Sequence, residues 1–119
     1  FEVNVLCGVR LSRRYFDGML QRNHGRIVFI SSESALHIPA EMIHYGMTKT
    51  AQLAVARGLA ELTAGTAVTV NSVLPGPTRS EGVTDFVGTL SGGKPFAEFE
   101  QEFFQQMRPT SLLKLFETP

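Results

Sequence analysis

Three side chains in this sequence can do acid–base chemistry together: Ser32, Tyr45 and Lys49. Tyr45 and Lys49 stand four positions apart in a stretch that reads as a helix, so both project from one face, about one turn apart. Ser32 follows a short apolar run and sits at the carboxyl end of an expected strand, where open α/β sheets place their ligands. A phenol has an ordinary pKa of about 10, so acid–base work near pH 7 asks for about 4 kcal/mol in favour of the phenolate. A neighbouring ammonium and a helix amino terminus both stabilise that charge. Alone, Tyr-x-x-x-Lys is most often an ordinary helix surface. Its setting gives it meaning: a strand end, Ser31-Ser32, a loop, Tyr45-Gly46-Met47-Thr48-Lys49 opening a helix, then a strand and Pro75-Gly76.

The elements that must position these groups are legible from periodicity. From Phe1 to about Gln21, Val5, Val9, Phe16 and Leu20 recur at helical spacing, flanked by Leu6, Tyr15 and Met19. Asn23-His24-Gly25 supplies the stop, because Asn and Gly tolerate the left-handed conformation that ends helices. Arg26–Ile30 is an unbroken apolar run without alternation, which predicts a strand buried on both faces, as in a parallel sheet. A second helix starts between Pro39 and Ile43 and runs to about Thr63, with Met47, Ala51, Ala54, Val55, Leu59 and Leu62 as its buried stripe and Gly65 as its cap. Ala67–Leu74 predicts a second strand, stopped by Pro75-Gly76-Pro77. Helix, strand, helix, strand with short connections is the rhythm of a doubly wound α/β sheet. Beyond Pro77 the pattern loosens into a glycine-rich stretch to Pro95, followed by an amphipathic helix to about Met107 carrying Phe96, Phe99, Phe103 and Met107.

Other motifs carry less. Gly88–Lys94 fits the first seven positions of a phosphate-binding G-x-x-x-x-G-K loop, but Pro95 stands where a hydroxyl should reach Mg²⁺, so a flexible loop is expected. His24, His37 and His44 lack a cysteine or carboxylate at ligand spacing, and no metal site is expected. Cys7 reads as a small buried hydrophobe.

Composition bounds the classes. The 119 residues carry 11 Lys+Arg against 11 Asp+Glu, and zero net charge removes the electrostatic drive toward nucleic acid or anionic membranes. At 43% hydrophobic and 18% charged the chain is globular, and its length suits one domain. No apolar run approaches the roughly 20 residues that span a bilayer. With one cysteine no internal disulfide forms, and a reducing, cytoplasmic compartment is expected. The chain starts inside a helix and stops where another can begin, so it reads as an internal stretch of a longer protein.

Gly25–Ser32, Tyr45-x-x-x-Lys49 and Asn71–Thr78 together resemble the short-chain dehydrogenase/reductase family, and the 12 residues between Ser32 and Tyr45 match its spacing, whereas Ser31 does not. The resemblance covers about Phe1 to Thr78. It implies a Rossmann-like doubly wound parallel sheet, here incomplete, within a partial nucleotide-binding domain spanning 1–119 with a substrate-lid region at about 78–107. It implies an oxidoreductase that moves hydride between NAD or NADP and a small-molecule secondary alcohol or ketone. In that reading Tyr45 exchanges the proton, Lys49 holds the cofactor's ribose and favours the phenolate, Ser32 orients the substrate oxygen, and Asn4 supports a relay water. Pro75 and Gly76 pass under the nicotinamide, and Thr78 bonds its carboxamide or a phosphate. The family's G-x-x-x-G-x-G fingerprint and Asn-Asn-Ala-Gly segment are absent, so the segment alone is expected to be inactive. A non-catalytic helix-pairing scaffold is the alternative. Leu6, Leu11, Leu53 and Val55 lie off any single stripe, and with an unpaired strand edge they predict a homodimer or homotetramer.

Overall fold

The computed structural model describes residues 1–119, which divide into two compact units, Phe1–Pro75 and Gly76–Pro119. In the first, a π-helical stretch at Glu2–Leu6 runs into helix α1, Cys7–Gln21. Strand β1 (Gly25–Ile30), helix α2 (Ile43–Leu62) and strand β2 (Val68–Val73) follow, with single 3-10 turns at Glu33–Ala35 and Ala40–Met42 between β1 and α2. The two strands pair in parallel, Gly25 opposite Val68 through Ile30 opposite Val73. This is a partial Rossmann-like α/β layer, as the sequence predicts.

Helix α1 ends as its last residues dictate. Asn23 takes the left-handed conformation, with φ 50°, and His24 and Asn23 donate back to the Met19 and Leu20 carbonyls at 3.1 and 3.0 Å. That pairing satisfies carbonyls the helix end would otherwise orphan. The Asn23 side chain then accepts from the Ala67 N–H at 2.8 Å, tying the turn to the start of β2.

Both helices cover one face of the sheet. Phe16, Phe29, Ala56 and Val70 form the buried cluster, with Leu20, Ile27, Val55, Leu59 and Ala60 packed against it. Gly8 permits the close approach of α1 to β1, since a Cβ there would lie 2.8 Å from the Phe29 ring. The expectation of a strand buried on both faces needs correction: Val28 and Ile30 are 53% and 57% exposed. Side chains alternate along a strand, and the helices stand only on the Ile27–Phe29 side.

Further findings concern the helices. The buried positions of α2 are Gly46, Thr48 and Ala56, whereas Met47 and Leu62 are exposed. Of the expected stripe, Val55 and Leu59 do pack on the sheet cluster, around Ala56, so counting large apolar residues finds part of the packed face and misses its small members. Cys7 is exposed, not buried. Val55, placed above both in the buried stripe and among the residues off any single stripe, packs on the core, as the first of these readings has it.

The second unit contains helix α3, Glu81–Leu90, inside the stretch that the sequence leaves without structure, and helix α4, Phe96–Gln106, where one is expected. Ser80 caps α3 by accepting from the Val83 N–H at 3.3 Å. Gly88 therefore lies within α3, and Gly92 and Gly93 form the turn after it with φ of 59° and 91°. The core of this unit is aromatic. Phe104 is 2% exposed, and Phe96, Phe103 and Phe104 each set their rings 5.2 to 5.5 Å from Phe116.

Candidate active site

The carboxyl end of β1 gathers the expected groups of the first unit. The last carbonyl of the strand, Ile30, accepts a hydrogen bond from Lys49 Nζ at 3.0 Å. The same ammonium lies 5.6 Å from the centre of the Tyr45 ring. Cation and phenol thus share one place, one helical turn apart on α2, beside the strand end. The ammonium carries three donors and spends one on Ile30, which leaves two for hydroxyl groups or a phenolate.

Ser32 stands two residues beyond Ile30, at the head of the 3-10 turn. Its hydroxyl oxygen accepts from the Ser34 N–H at 3.1 Å, so its own proton is free to be donated. Ser31 is engaged differently: it is buried and donates to the Lys49 carbonyl at 2.9 Å, bracing α2 against the strand end. The loop that follows closes tightly over the start of α2. A Cβ on Gly46 would lie 2.6 Å from Ile38 Cγ2 and 3.0 Å from the Ser34 carbonyl oxygen, so only glycine fits next to Tyr45 without displacing that loop.

Asn4 lies in the π-helical stretch and faces α2. Its amide donates to Thr48 Oγ1 at 3.0 Å, and Thr48 donates to the Tyr45 carbonyl at 2.8 Å. The Asn4 carbonyl accepts from Gln52 Nε2 at 2.6 Å. Neither Thr48 nor Gln52 stands out in the sequence, because polar residues on a helix ordinarily read as its solvent face. The available signal was their spacing: they are four apart and bracket Lys49.

Pro75 ends the first unit, and its carbonyl accepts from the Glu33 N–H at 3.0 Å. Gly76 and Thr78 belong to the second unit. There Thr78 Oγ1 donates to the Gly76 carbonyl at 3.0 Å, and the Gly76 N–H donates to Glu117 Oε1 at 3.2 Å.

A model of the short chain dehydrogenase family matches residues 1–91. Among curated relatives, two proteins of Bacillus subtilis (strain 168), described as uncharacterized oxidoreductases YvaG and YvrD, are 47% and 46% identical to this chain. Those matches cover 96% and 99% of this chain but 44% and 46% of the relatives, so the chain spans less than half of their length. Among solved structures, an actinorhodin polyketide ketoreductase with NADPH superposes with a TM-score of 0.79 at 21% identity, over 98% of this chain and 44% of that one. ElxO with NADP bound gives 0.78 at 24% identity, over 97% and 42%. At these identities the likeness is one of fold.

Proposed function

The chain belongs to the short-chain dehydrogenase family, and from that premise we propose that it carries the catalytic half of an oxidoreductase acting between NAD or NADP and a secondary alcohol or ketone. The observation that carries the reading is the Lys49 ammonium, held at the Ile30 carbonyl beside the Tyr45 ring. When bound, the nicotinamide supplies or accepts the hydride. Tyr45 gives its phenolic proton to the carbonyl oxygen as the ketone is reduced, or takes it back in the reverse direction. Lys49 stabilises the phenolate and holds ribose hydroxyls with its remaining donors. Ser32 donates its free proton to the same substrate oxygen.

These groups fit the nicotinamide-ribose end of a dinucleotide. The sequence holds no G-x-x-x-G-x-G turn, so the pyrophosphate finds no cradle of backbone amides among these residues. Assays therefore belong on the natural protein that carries this chain. There Lys49→Ala is expected to weaken NADPH binding, read by nucleotide fluorescence, and to lower turnover as well. Undiminished cofactor affinity would remove Lys49 from the ribose site.

The helix-pairing reading draws on a separate feature. A groove of about 410 Å³ between α1 and α2 is lined by the apolar Val9, Phe16, Val55, Leu59 and Leu62, with Ser12, Arg13 and Asp17 also on α1, and Leu62 is 66% exposed. Such a surface suits a self-complementary contact between copies, so a homo-oligomer belongs to the same proposal and is compatible with catalysis.

A further inference from the structure

Asn4 is held by α2 through both its main-chain carbonyl and its side-chain amide. Gln52 Nε2 donates to its carbonyl at 2.6 Å, and its side-chain amide donates to Thr48 at 3.0 Å. Thr48 and Gln52 stack on one face of the helix, one before and one after Lys49 in sequence. Thr48 Oγ1 then donates a hydrogen bond to the Tyr45 carbonyl at 2.8 Å. The orientation of Gln52 is forced by chemistry: a carbonyl only accepts, so the amide nitrogen must face Asn4 and the amide oxygen must face away. That oxygen, Oε1, is buried and has no hydrogen-bond partner. An unpaired buried acceptor works against folding, and a leucine of similar size would avoid it. For packing alone, Gln52 is a poor choice.

On the reading that Tyr45 and Lys49 perform the proton transfer, we propose that Gln52 is a positioning residue for that pair. By holding the Asn4 carbonyl it pins the π-helical stretch against α2. Through Asn4 and Thr48 it then sets the first two turns of α2, from which Tyr45 and Lys49 project.

The test uses the natural protein with three variants measured together. Gln52→Leu removes both the donor and the unpaired oxygen, so its melting temperature should hold or rise, whereas kcat should fall roughly tenfold or more with KM little changed, because misplaced catalytic groups lose rate steeply. Gln52→Glu places a carboxyl that can donate to the Asn4 carbonyl only while protonated and repels it once ionised. Its kcat should therefore decline with rising pH along a limb that the unsubstituted protein lacks. Tyr45→Phe is the reference for the underlying assignment. If Tyr45→Phe retains turnover, that assignment fails and the role of Gln52 fails with it. If Tyr45→Phe is inactive but Gln52→Leu matches the unsubstituted kcat, only the role of Gln52 is overturned. Should Gln52→Leu not fold, an unchanged pH profile in Gln52→Glu overturns it instead.

Discussion

Ser32 shows how much a single hydrogen bond decides. Its oxygen accepts from the Ser34 N–H, so in the proposed reaction its one proton remains to be donated to the substrate oxygen. Ser32→Ala should lower kcat roughly a hundredfold in the natural protein, the scale for losing one donor to a developing oxyanion. Ser32→Thr, which restores a hydroxyl, should recover part of that rate; an alanine variant at full rate would exclude the donor role. Tyr45 and Lys49 were readable in the sequence because their spacing fixes a shared face once the helix is granted. Their orientation by Ile30, Thr48 and Asn4 was not readable. It depends on contacts between residues as far as 44 positions apart, and no local pattern reports those. Cys7 was misread for a related reason. Residue type predicts burial only on average, and the packed face of the first helix runs through Val5, Ser12 and Phe16.

Helix α2 carries the proposed catalytic pair, Tyr45 and Lys49, on one side and the sheet contact on another, and these demands bear on its composition. Ala56 is buried against Phe29 and Val70 of the strands, Thr48 is buried where it meets Asn4, and Gly46 is buried because the loop from Ser34 to Ile38 crosses it. Gly46→Ala should destabilise the protein by roughly 1–3 kcal/mol, the usual cost of forcing a methyl into a packed site. Urea denaturation monitors this, and an unchanged midpoint would show that the loop yields freely. Element order was legible from periodicity, and the ends of β1 and β2 from their flanking turns. Helix α3 was missed since its glycines, Gly82 and Gly88, argue for a loop, whereas the Ser80 cap and the Val83 and Val87 face argue for a helix. The cap outweighs them here. Phe104, the most buried side chain of α4, fell outside the stripe drawn through Phe96, Phe99 and Phe103, because the packed face is wider than that stripe: Phe96, Phe103 and Phe104 all meet Phe116.

For the whole molecule, one side of the sheet leaves Val28, Ile30 and Val73 about half exposed, and α1 presents Leu11 and Tyr15 at 55% and 57% exposure. Apolar surface on this scale marks contact with further polypeptide. The homo-oligomer proposal predicts that sedimentation of the natural protein at micromolar concentration gives at least a dimer; a clean monomer would contradict it and leave the chemistry untouched. The central claim rests on the phenol beside the strand end. It is tested most directly by turnover of Tyr45→Phe in the natural protein, with NADPH affinity measured in the same samples. The account predicts that ketone reduction is abolished while cofactor binding stays within about twofold of the unsubstituted value, since only the proton donor is removed. Near-normal turnover without the Tyr45 hydroxyl would contradict it.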